Sequence, residues 1–205
     1  TKDNFTPWNQ FDTYRGKEFS GEWPTIKELF HINTMRYPDN TCWKEYSPKE
    51  ISLTYKEAEE KVKEVSSWFL SLGVKKGDKI IVSGKNSVAW AVTYIAVQYA
   101  GCTVVPLDSS LHDEDFIKFA RFSDSVVLVA DNDRMKKVAG SLPMLGYASL
   151  EENGTYPSIM TLSAPYRDGH VMTEDDVAAI LFTSGTTGTP KGVMLTNKNI
   201  VSDIF

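Results

Sequence analysis

The sequence predicts an α/β fold in which helices cover a mostly parallel sheet, with an additional partial β region towards the carboxyl end. Short apolar runs rich in β-branched residues alternate with helical patterns after residue 78. Strands that are apolar along their whole length are typical of parallel sheets, because helices cover both faces of such sheets. The composition fits a globular domain, since 41% of the 205 residues are hydrophobic and 24% are charged. A chain of this size can bury a substantial core.

The first elements are predicted from aromatic content and capping signals. Residues 1–24 carry aromatic side chains without a clear period, and we interpret this segment as an arm that docks on the body. A partner interface is the alternative for the arm. Thr25 and Glu28 form a capping box that begins a helix, which ends by Pro38. The aromatic residues of the arm are Phe5, Trp8, Phe11, Tyr14, Phe19 and Trp23.

A hairpin and a long amphipathic helix are predicted next. A strand at residues 42–46 and a turn at 47–50 indicate the hairpin. Thr54 and Glu57 form a second capping box, and Gly73 ends the helix. Apolar residues recur every three or four positions and predict one buried face, made of Tyr55, Ala58, Val62, Val65, Phe69 and Leu72.

Strands and helices then alternate up to residue 140. The predicted strands are 79–83, 103–106 and 126–130, and the predicted helices are 88–100, 113–122 and one near 134–140. Residues 84–87 predict a turn with a helix cap. A ligand role for Lys85 or Asn86 is the alternative, because the carboxyl ends of strands in such sheets often bind ligands. We divide the chain into the arm (1–24), an α/β subdomain (25–140) and a second strand region (141–205).

Charge and isolated reactive residues argue against several functions. The net charge is −5 and no run of five basic residues occurs, so nucleic-acid binding is not expected. Cys42 and Cys102 lack metal-ligand spacing and are expected to be small hydrophobes. Asp175 and Asp176 are expected to form a solvated turn and not a metal site. No catalytic role is assigned to the isolated histidines, which are His31, His112 and His170. No signal peptide or apolar run of about 18 residues is visible, so a cytoplasmic location is expected.

Residues 181–192 carry the strongest functional signal, and they read Leu-Phe-Thr-Ser-Gly-Thr-Thr-Gly-Thr-Pro-Lys-Gly. Apolar runs at 177–182 and 192–195 predict two strands, and the first of them is expected to be buried. The loop would connect these two strands. Glycines at 185, 188 and 192 permit positive φ and close approach of a ligand to the backbone. Lys191 adds a compact positive charge that suits a phosphate. The hydroxyl donors are Thr183, Ser184, Thr186 and Thr187. We therefore predict a polyphosphate site.

The loop differs from the phosphate loop G-x-x-x-x-G-K-[ST]. That pattern needs a glycine before the lysine and a hydroxyl after it, whereas Pro190 precedes Lys191 here and Gly192 follows it. No helix opens directly after the lysine, so the helix dipole makes no contribution to anion binding. A glycine- and threonine-rich hairpin loop without a ligand is the alternative interpretation.

The same residues resemble the signature loop of the adenylate-forming superfamily, which comprises acyl-CoA synthetases, adenylation domains of non-ribosomal peptide synthetases, and luciferases. Three earlier segments look like further elements of that family and occur in the family's order: residues 53–57, 72–80 and 101–108. The resemblance covers roughly residues 25 to 205. The stretch from residue 181 to residue 200 looks most like the long-chain fatty acid branch.

This resemblance implies a two-step reaction that uses ATP, Mg²⁺ and coenzyme A. A carboxylate attacks the α-phosphorus of ATP to give an acyl-adenylate and pyrophosphate, and a thiol, usually that of coenzyme A, then takes the acyl group. In the family the signature loop holds the β- and γ-phosphates, and Lys191 would offset their charge. Carried over by position, the phosphate-binding residues are Thr183, Ser184, Gly185, Thr186, Thr187, Gly188 and Lys191.

Family members continue well beyond the position of Phe205. The resemblance implies that the magnesium ligand, the adenine pocket, the ribose-binding aspartate, most of the acyl pocket and a late catalytic lysine lie there. We therefore expect this chain to be the N-terminal part of a ligase, to need the remainder of its own chain, and to be inactive alone. Peripheral membrane contact stays open for a fatty acid substrate. Asn197 stands where many acyl-CoA synthetases have a histidine, and we attach little catalytic weight to it.

Two alternatives to a fatty acid ligase are kept. Within the enzymes, a peptide-synthetase adenylation domain or an aryl-acid ligase would share these motifs, because the residues that select the acid lie mainly beyond the chain. From another class, a short non-catalytic module could bind nucleotide or protein through the retained half of the fold.

Overall fold

The computed structural model describes residues 11–47, 49–183 and 191–204. Its helices are α1 (Ile26–Arg36), α2 (Tyr55–Ser71), α3 (Val88–Ala100), α4 (Asp113–Phe122), α5 (Asn132–Val138) and α6 (Asn197–Asp203). Its strands are β1 (Thr41–Glu45), β2 (Ile51–Thr54), β3 (Lys79–Ser83), β4 (Thr103–Pro106), β5 (Ser125–Ala130), β6 (Gly146–Ser149), β7 (Val177–Thr183) and β8 (Lys191–Thr196). The predicted helix near 134–140 begins earlier and ends in a 3-10 turn at Ala139–Ser141.

The main sheet has six strands in the order β6-β5-β3-β4-β7-β8. The first five are parallel, and β8 runs antiparallel to β7. This arrangement confirms the predicted fold class. The additional β region of the prediction is an extension of the same sheet, because β6 pairs with β5 and β7 pairs with β4. Strands from both sides of residue 140 thus share one sheet, and β1 and β2 form a separate antiparallel hairpin.

Two apolar layers cover the sheet because successive residues of a strand face opposite sides. Ile80 and Val82 of β3 pack with residues of α2 and α3, such as Phe69. Ile81, between them in sequence, packs with Phe116 of α4 in the other layer. All five side chains are fully buried. The sheet is therefore covered on both faces, as its continuously apolar strands predicted.

The predicted helix caps are present. Thr54 Oγ1 accepts a hydrogen bond from Glu57 N at 3.2 Å, and Glu57 Oε2 accepts one from Thr54 N at 2.8 Å. The hydrogen bond from Thr54 N, and after it the one from Thr54 Oγ1 to the same Oε2 atom, hold the pKa of Glu57 below its ordinary value. Thr25 and Glu28 form the same box at α1, and Ser87 caps α3. Local sequence alone therefore places the starts of these three helices.

The described part of the N-terminal arm docks on the body, as predicted. Phe11 and Phe19 are each 4% exposed. They pack in a cluster with Ile32 of α1, Ala178 of β7 and Val201 of α6. Both rings are buried within the chain, so these two residues do not contribute to a partner interface, which was the alternative interpretation. The two aromatic residues at positions 5 and 8 lie outside the described residues.

No helix of the described residues is long and apolar enough to cross a membrane.

Gly101 is expected to tolerate substitution less well than Gly73, although both follow a helix in the left-handed region. Gly101 has φ +72°, and a Cβ there would lie 2.3 Å from the carbonyl oxygen of His170. Gly73 has φ +86° and no heavy atom within 4 Å of such a Cβ. Gly73→Ala should therefore cost about 1 kcal/mol of unfolding free energy from backbone strain, and Gly101→Ala about 2–3 kcal/mol. Urea unfolding of both variants measures this, and equal losses would contradict the role of the His170 contact.

Candidate phosphate-binding site

The predicted phosphate-binding loop lies at the tip of the β7–β8 hairpin. Thr183 pairs with Lys191, Phe182 with Gly192, and Leu181 with Val193. The two flanking strands are therefore confirmed, and they place the ends of the loop side by side. All seven proposed phosphate contacts stay a prediction. Five of these residues lie outside the described residues: Ser184, Gly185, Thr186, Thr187 and Gly188.

Lys191 is the first residue of β8 and lies opposite Thr183, the last residue of β7. It is exposed. Within residues 11–47, 49–183 and 191–204, no carboxylate lies within ion-pair distance of Lys191. Its ammonium charge is therefore not neutralised by a described neighbour and can act on an anion at the loop.

Strand β7 is buried only in its first half, which corrects the prediction of a buried strand. Ala178 is fully buried and Ala179 is 1% exposed, whereas Leu181 is 39% exposed. The difference follows from the topology. Strand β7 pairs with β8, the last strand of the sheet, from Val177 to Thr183, but it pairs with β4 only at Val104↔Ala179. The hairpin tip therefore extends from the covered part of the sheet.

Aromatic rings of α4 pack against β7 beside the loop. The rings of Phe182 and Phe119 are stacked, with centroids 4.9 Å apart and planes 6° apart, and Phe122 meets Phe182 edge-on at 6.0 Å. Such pairs add about 0.5–1.5 kcal/mol beyond the area that they bury. Because Phe182 directly precedes the loop, α4 fixes where the loop leaves the sheet.

Gly192 is required for space and not for a positive φ, which corrects the sequence interpretation. It is absent from the described glycines with positive φ and lies in the regular strand β8. A Cβ at position 192 would lie 3.0 Å from Ile180 Cγ2 and 3.4 Å from Phe182 Cε1. The residue therefore lets β8 lie against these two side chains.

The turn before β7 is held by an aspartate. Asp176 Oδ2 accepts a hydrogen bond from Thr173 N at 2.7 Å, and it forms an ion pair with Lys76 Nζ at 2.8 Å. Partial burial raises the pKa of Asp176, but the bonds from Lys76 and Thr173 outweigh it and leave that pKa below its ordinary value. Among the residues that the structure describes, no three His, Cys, Asp or Glu side chains are grouped to hold a metal ion.

The other reactive residues have structural surroundings. Cys102 is buried and Cys42 half-buried, and burial raises the pKa of each thiol to about 12. His170 Nε2 lies 3.0 Å from Val74 O. The backbone N–H of Lys85 donates to Asp131 Oδ2 at 3.1 Å. The ligand role for the Lys85 turn stays an untested alternative.

The sequence did not indicate the buried hydrogen bonds of Asn197. This residue is 1% exposed and bonds to three backbone groups, those of Ile26, Thr173 and Asp176. Its place behind a Thr cap predicts only the start of a helix. The partner Ile26 is 171 residues away in sequence, so no local pattern indicates the contact.

Comparisons with known proteins agree with this architecture. The sequence profile of the family described as AMP-binding enzyme matches residues 30–205. The chain is 29% identical to the chloroplastic long-chain-fatty-acid–[acyl-carrier-protein] ligase AEE15 of Arabidopsis thaliana, over 90% of this chain and 30% of that protein. It is 29% identical to the long-chain-fatty-acid–CoA ligase FadD15 of Mycobacterium bovis, over 74% of this chain and 28% of that protein. The chain therefore spans about 30% of the length of these relatives.

A solved structure shows the same fold. A crystal structure named for a long-chain-fatty-acid CoA ligase of Rhodopseudomonas palustris superposes with a TM-score of 0.78. It is 19% identical in sequence, and the match covers 89% of this chain and 47% of the other. At this identity the likeness establishes the fold alone.

Proposed function

Because the chain belongs to the family of AMP-binding enzymes, we propose that it carries the phosphate-binding part of an enzyme that activates a carboxylic acid with ATP. The observation that supports this most is the hairpin geometry. Strands β7 and β8 hold the two ends of the glycine- and hydroxyl-rich loop together, and they present Lys191 there without a described carboxylate partner.

The proposed first step is adenylation. A carboxylate oxygen attacks the α-phosphorus of ATP, the bond from that phosphorus to the bridging oxygen breaks, and pyrophosphate leaves with the bonding electrons. Negative charge grows on the leaving group, so a fixed cation beside it lowers the barrier. Lys191 is the described residue with the charge and position for that role. The protein contributes positioning and charge stabilisation in this step.

The proposed second step transfers the acyl group to a thiol. The thiol gives up its proton to solvent, its sulfur attacks the acyl carbonyl carbon, and AMP leaves with the electrons of the acyl–phosphate bond. We propose a fatty acid as the substrate and coenzyme A as the acceptor, supported by the ligase named for both among the relatives. The Arabidopsis relative is named for acyl carrier protein, so a carrier-bound thiol is the rival acceptor.

The direct test is carboxylate-dependent exchange between ATP and labelled pyrophosphate, using the complete polypeptide that contains this chain. We expect exchange with fatty acids, weak exchange with benzoate-type acids and none with amino acids. Adding coenzyme A or carrier protein, and measuring the thioester formed, decides the acceptor. A protein that binds ATP but catalyses no exchange with any of these acids would contradict the proposal and favour a non-catalytic nucleotide-binding module.

A further inference from the structure

We propose that Asn197 is a positioning residue, which fixes the β7–β8 hairpin and therefore Lys191 relative to the body of the protein. This inference rests on the proposed function, because it concerns the phosphate site of that reaction. Asn197 itself lies at the start of α6, at the end of β8 opposite to Lys191.

The side-chain amide of Asn197 is buried and its hydrogen-bonding groups are used. Its Oδ1 accepts a hydrogen bond from Ile26 N at 3.0 Å. Its Nδ2 donates to Thr173 O at 3.2 Å and to Asp176 O at 3.4 Å. Since the side chain is 1% exposed, water cannot replace these partners, and losing them leaves buried polar groups unpaired.

These contacts join three segments at the base of the hairpin. Thr173 and Asp176 lie directly before β7, Asn197 directly follows β8, and Ile26 is the first residue of α1. The backbone reinforces the first junction, because Asn197 N donates to Asp176 O at 3.1 Å. Among the described residues, the side-chain amide of Asn197 supplies the hydrogen bond that extends this junction to Ile26.

A second set of contacts crosses the same junction but lies nearer to solvent. Lys198 Nζ lies 2.6 Å from Glu22 Oε2, and Trp23 N donates to Glu174 Oε2 at 2.7 Å. The side chains of Lys198 and Glu22 are 41% and 66% exposed, so solvent screens their ion pair and it adds little stability. The Asn197 bonds are therefore better shielded from solvent than this ion pair.

Strand β8 links the Asn197 contacts to the phosphate site. Six residues separate Asn197 from Lys191 along an extended strand, which corresponds to about 20 Å. A tilt of about 3° at the base would then move Lys191 by about 1 Å, given that strand length. Displacements of that size at a reacting centre can cost about 100-fold in rate. Small changes at Asn197 should therefore appear at the phosphates.

The test compares variants at position 197 in the complete enzyme. Asn197→Leu keeps the number and branching of the side-chain heavy atoms and removes all three bonds, whereas Asn197→His keeps one donor and one acceptor. We expect Asn197→Leu to lower kcat/KM for ATP about 30-fold, with KM for the acid within about twofold of wild type. Asn197→His should recover most of the loss. The matched control is Asn199→Ala, which removes the exposed capping bonds of α6 and should leave both kinetic constants unchanged.

Amide hydrogen exchange gives a readout that needs no activity. Exchange in β7 and β8 should rise about tenfold in Asn197→Leu and stay unchanged in Asn199→Ala. If Asn197→Leu does not fold, Asn197→Asp serves instead, because it keeps the bond from Ile26 N and places a carboxylate against two carbonyl oxygens. It should show the same exchange increase.

The outcomes separate this inference from the proposed function. Unchanged exchange in β7 and β8, or equal losses of activity towards ATP and acid, would overturn the positioning role. A wild-type enzyme without pyrophosphate exchange would overturn the proposed function. If hydrogen exchange still rose at the hairpin in that case, Asn197 would retain its role in holding Lys191.

Discussion

Replacing Lys191 by alanine is expected to lower the rate of acyl-adenylate formation by at least about 100-fold, the size seen when one transition-state donor is removed. The free energy of unfolding should change by less than about 0.5 kcal/mol, because Lys191 is exposed and no described carboxylate pairs with it. The charge of this lysine is therefore not needed by the fold. Its loss should appear almost wholly in the step that releases pyrophosphate.

The measurement is carboxylate-dependent pyrophosphate exchange in the complete enzyme, with urea unfolding in parallel. Lys191→Arg separates charge from shape, and we expect intermediate activity because a planar guanidinium keeps the charge but not the compact ammonium geometry. Lys136→Ala is the matched control, since this lysine of α5 is 66% exposed and α5 connects β5 to β6, at the edge of the sheet opposite to β8. Exchange at the wild-type rate in Lys191→Ala would remove the residue from the mechanism.

Local signals predicted most of the fold. The helix caps use partners within four residues, so these partners are visible in the sequence itself. They are the capping boxes at Thr25 and Thr54 and the C-cap glycine at position 101. The continuously apolar runs of β3 and β5 likewise indicated a sheet covered on both faces. Three of the family-like segments coincide with such signals. Residues 53–57 contain the α2 cap, residues 72–80 the turn into β3, and residues 101–108 the turn into β4.

The contacts that fasten the site could not be predicted, because they depend on which distant segments meet. Asn197 reaches Ile26 across 171 residues, and Phe182 stacks on Phe119 of α4. Neither the spacing of apolar residues nor secondary-structure propensity indicates such pairs. The same limit explains why Leu181 was predicted to be buried. Its hydrophobicity was visible, but its place near the sheet edge was not.

Glu59→Leu is expected to destabilise the protein by about 3–5 kcal/mol, the cost of breaking a buried charged network. Glu59 lies on α2 and is 6% exposed. Its Oε1 accepts a hydrogen bond from Tyr99 Oη of α3 at 2.6 Å and lies 2.7 Å from His31 Nδ1 of α1. Its Oε2 lies 3.1 Å from Lys63 Nζ. One carboxylate thus joins three helices, and an apolar replacement leaves the buried Tyr99 hydroxyl without an acceptor.

The control is Glu60→Leu, one residue further along the same helix, where the side chain is exposed. This change should alter the free energy of unfolding by less than about 0.5 kcal/mol. Similar losses in the two variants would show that helix propensity or surface charge, and not the network, sets the cost. Urea unfolding of both proteins at neutral pH gives the comparison.

The stabilisation by Glu59 should also depend on pH in a defined direction. Burial raises the pKa of Glu59, but the bonds from Tyr99, His31 and Lys63 outweigh it and leave that pKa below the ordinary value of 4.5. A depressed carboxyl pKa stabilises the fold fully above the unfolded-state pKa and loses this effect as pH falls through the folded-state pKa. The stability difference between wild type and Glu59→Gln should therefore be constant above about pH 6 and shrink below about pH 4.5. A difference that grew on acidification would mean that the buried carboxyl is held protonated, and the network would then act through a neutral acid.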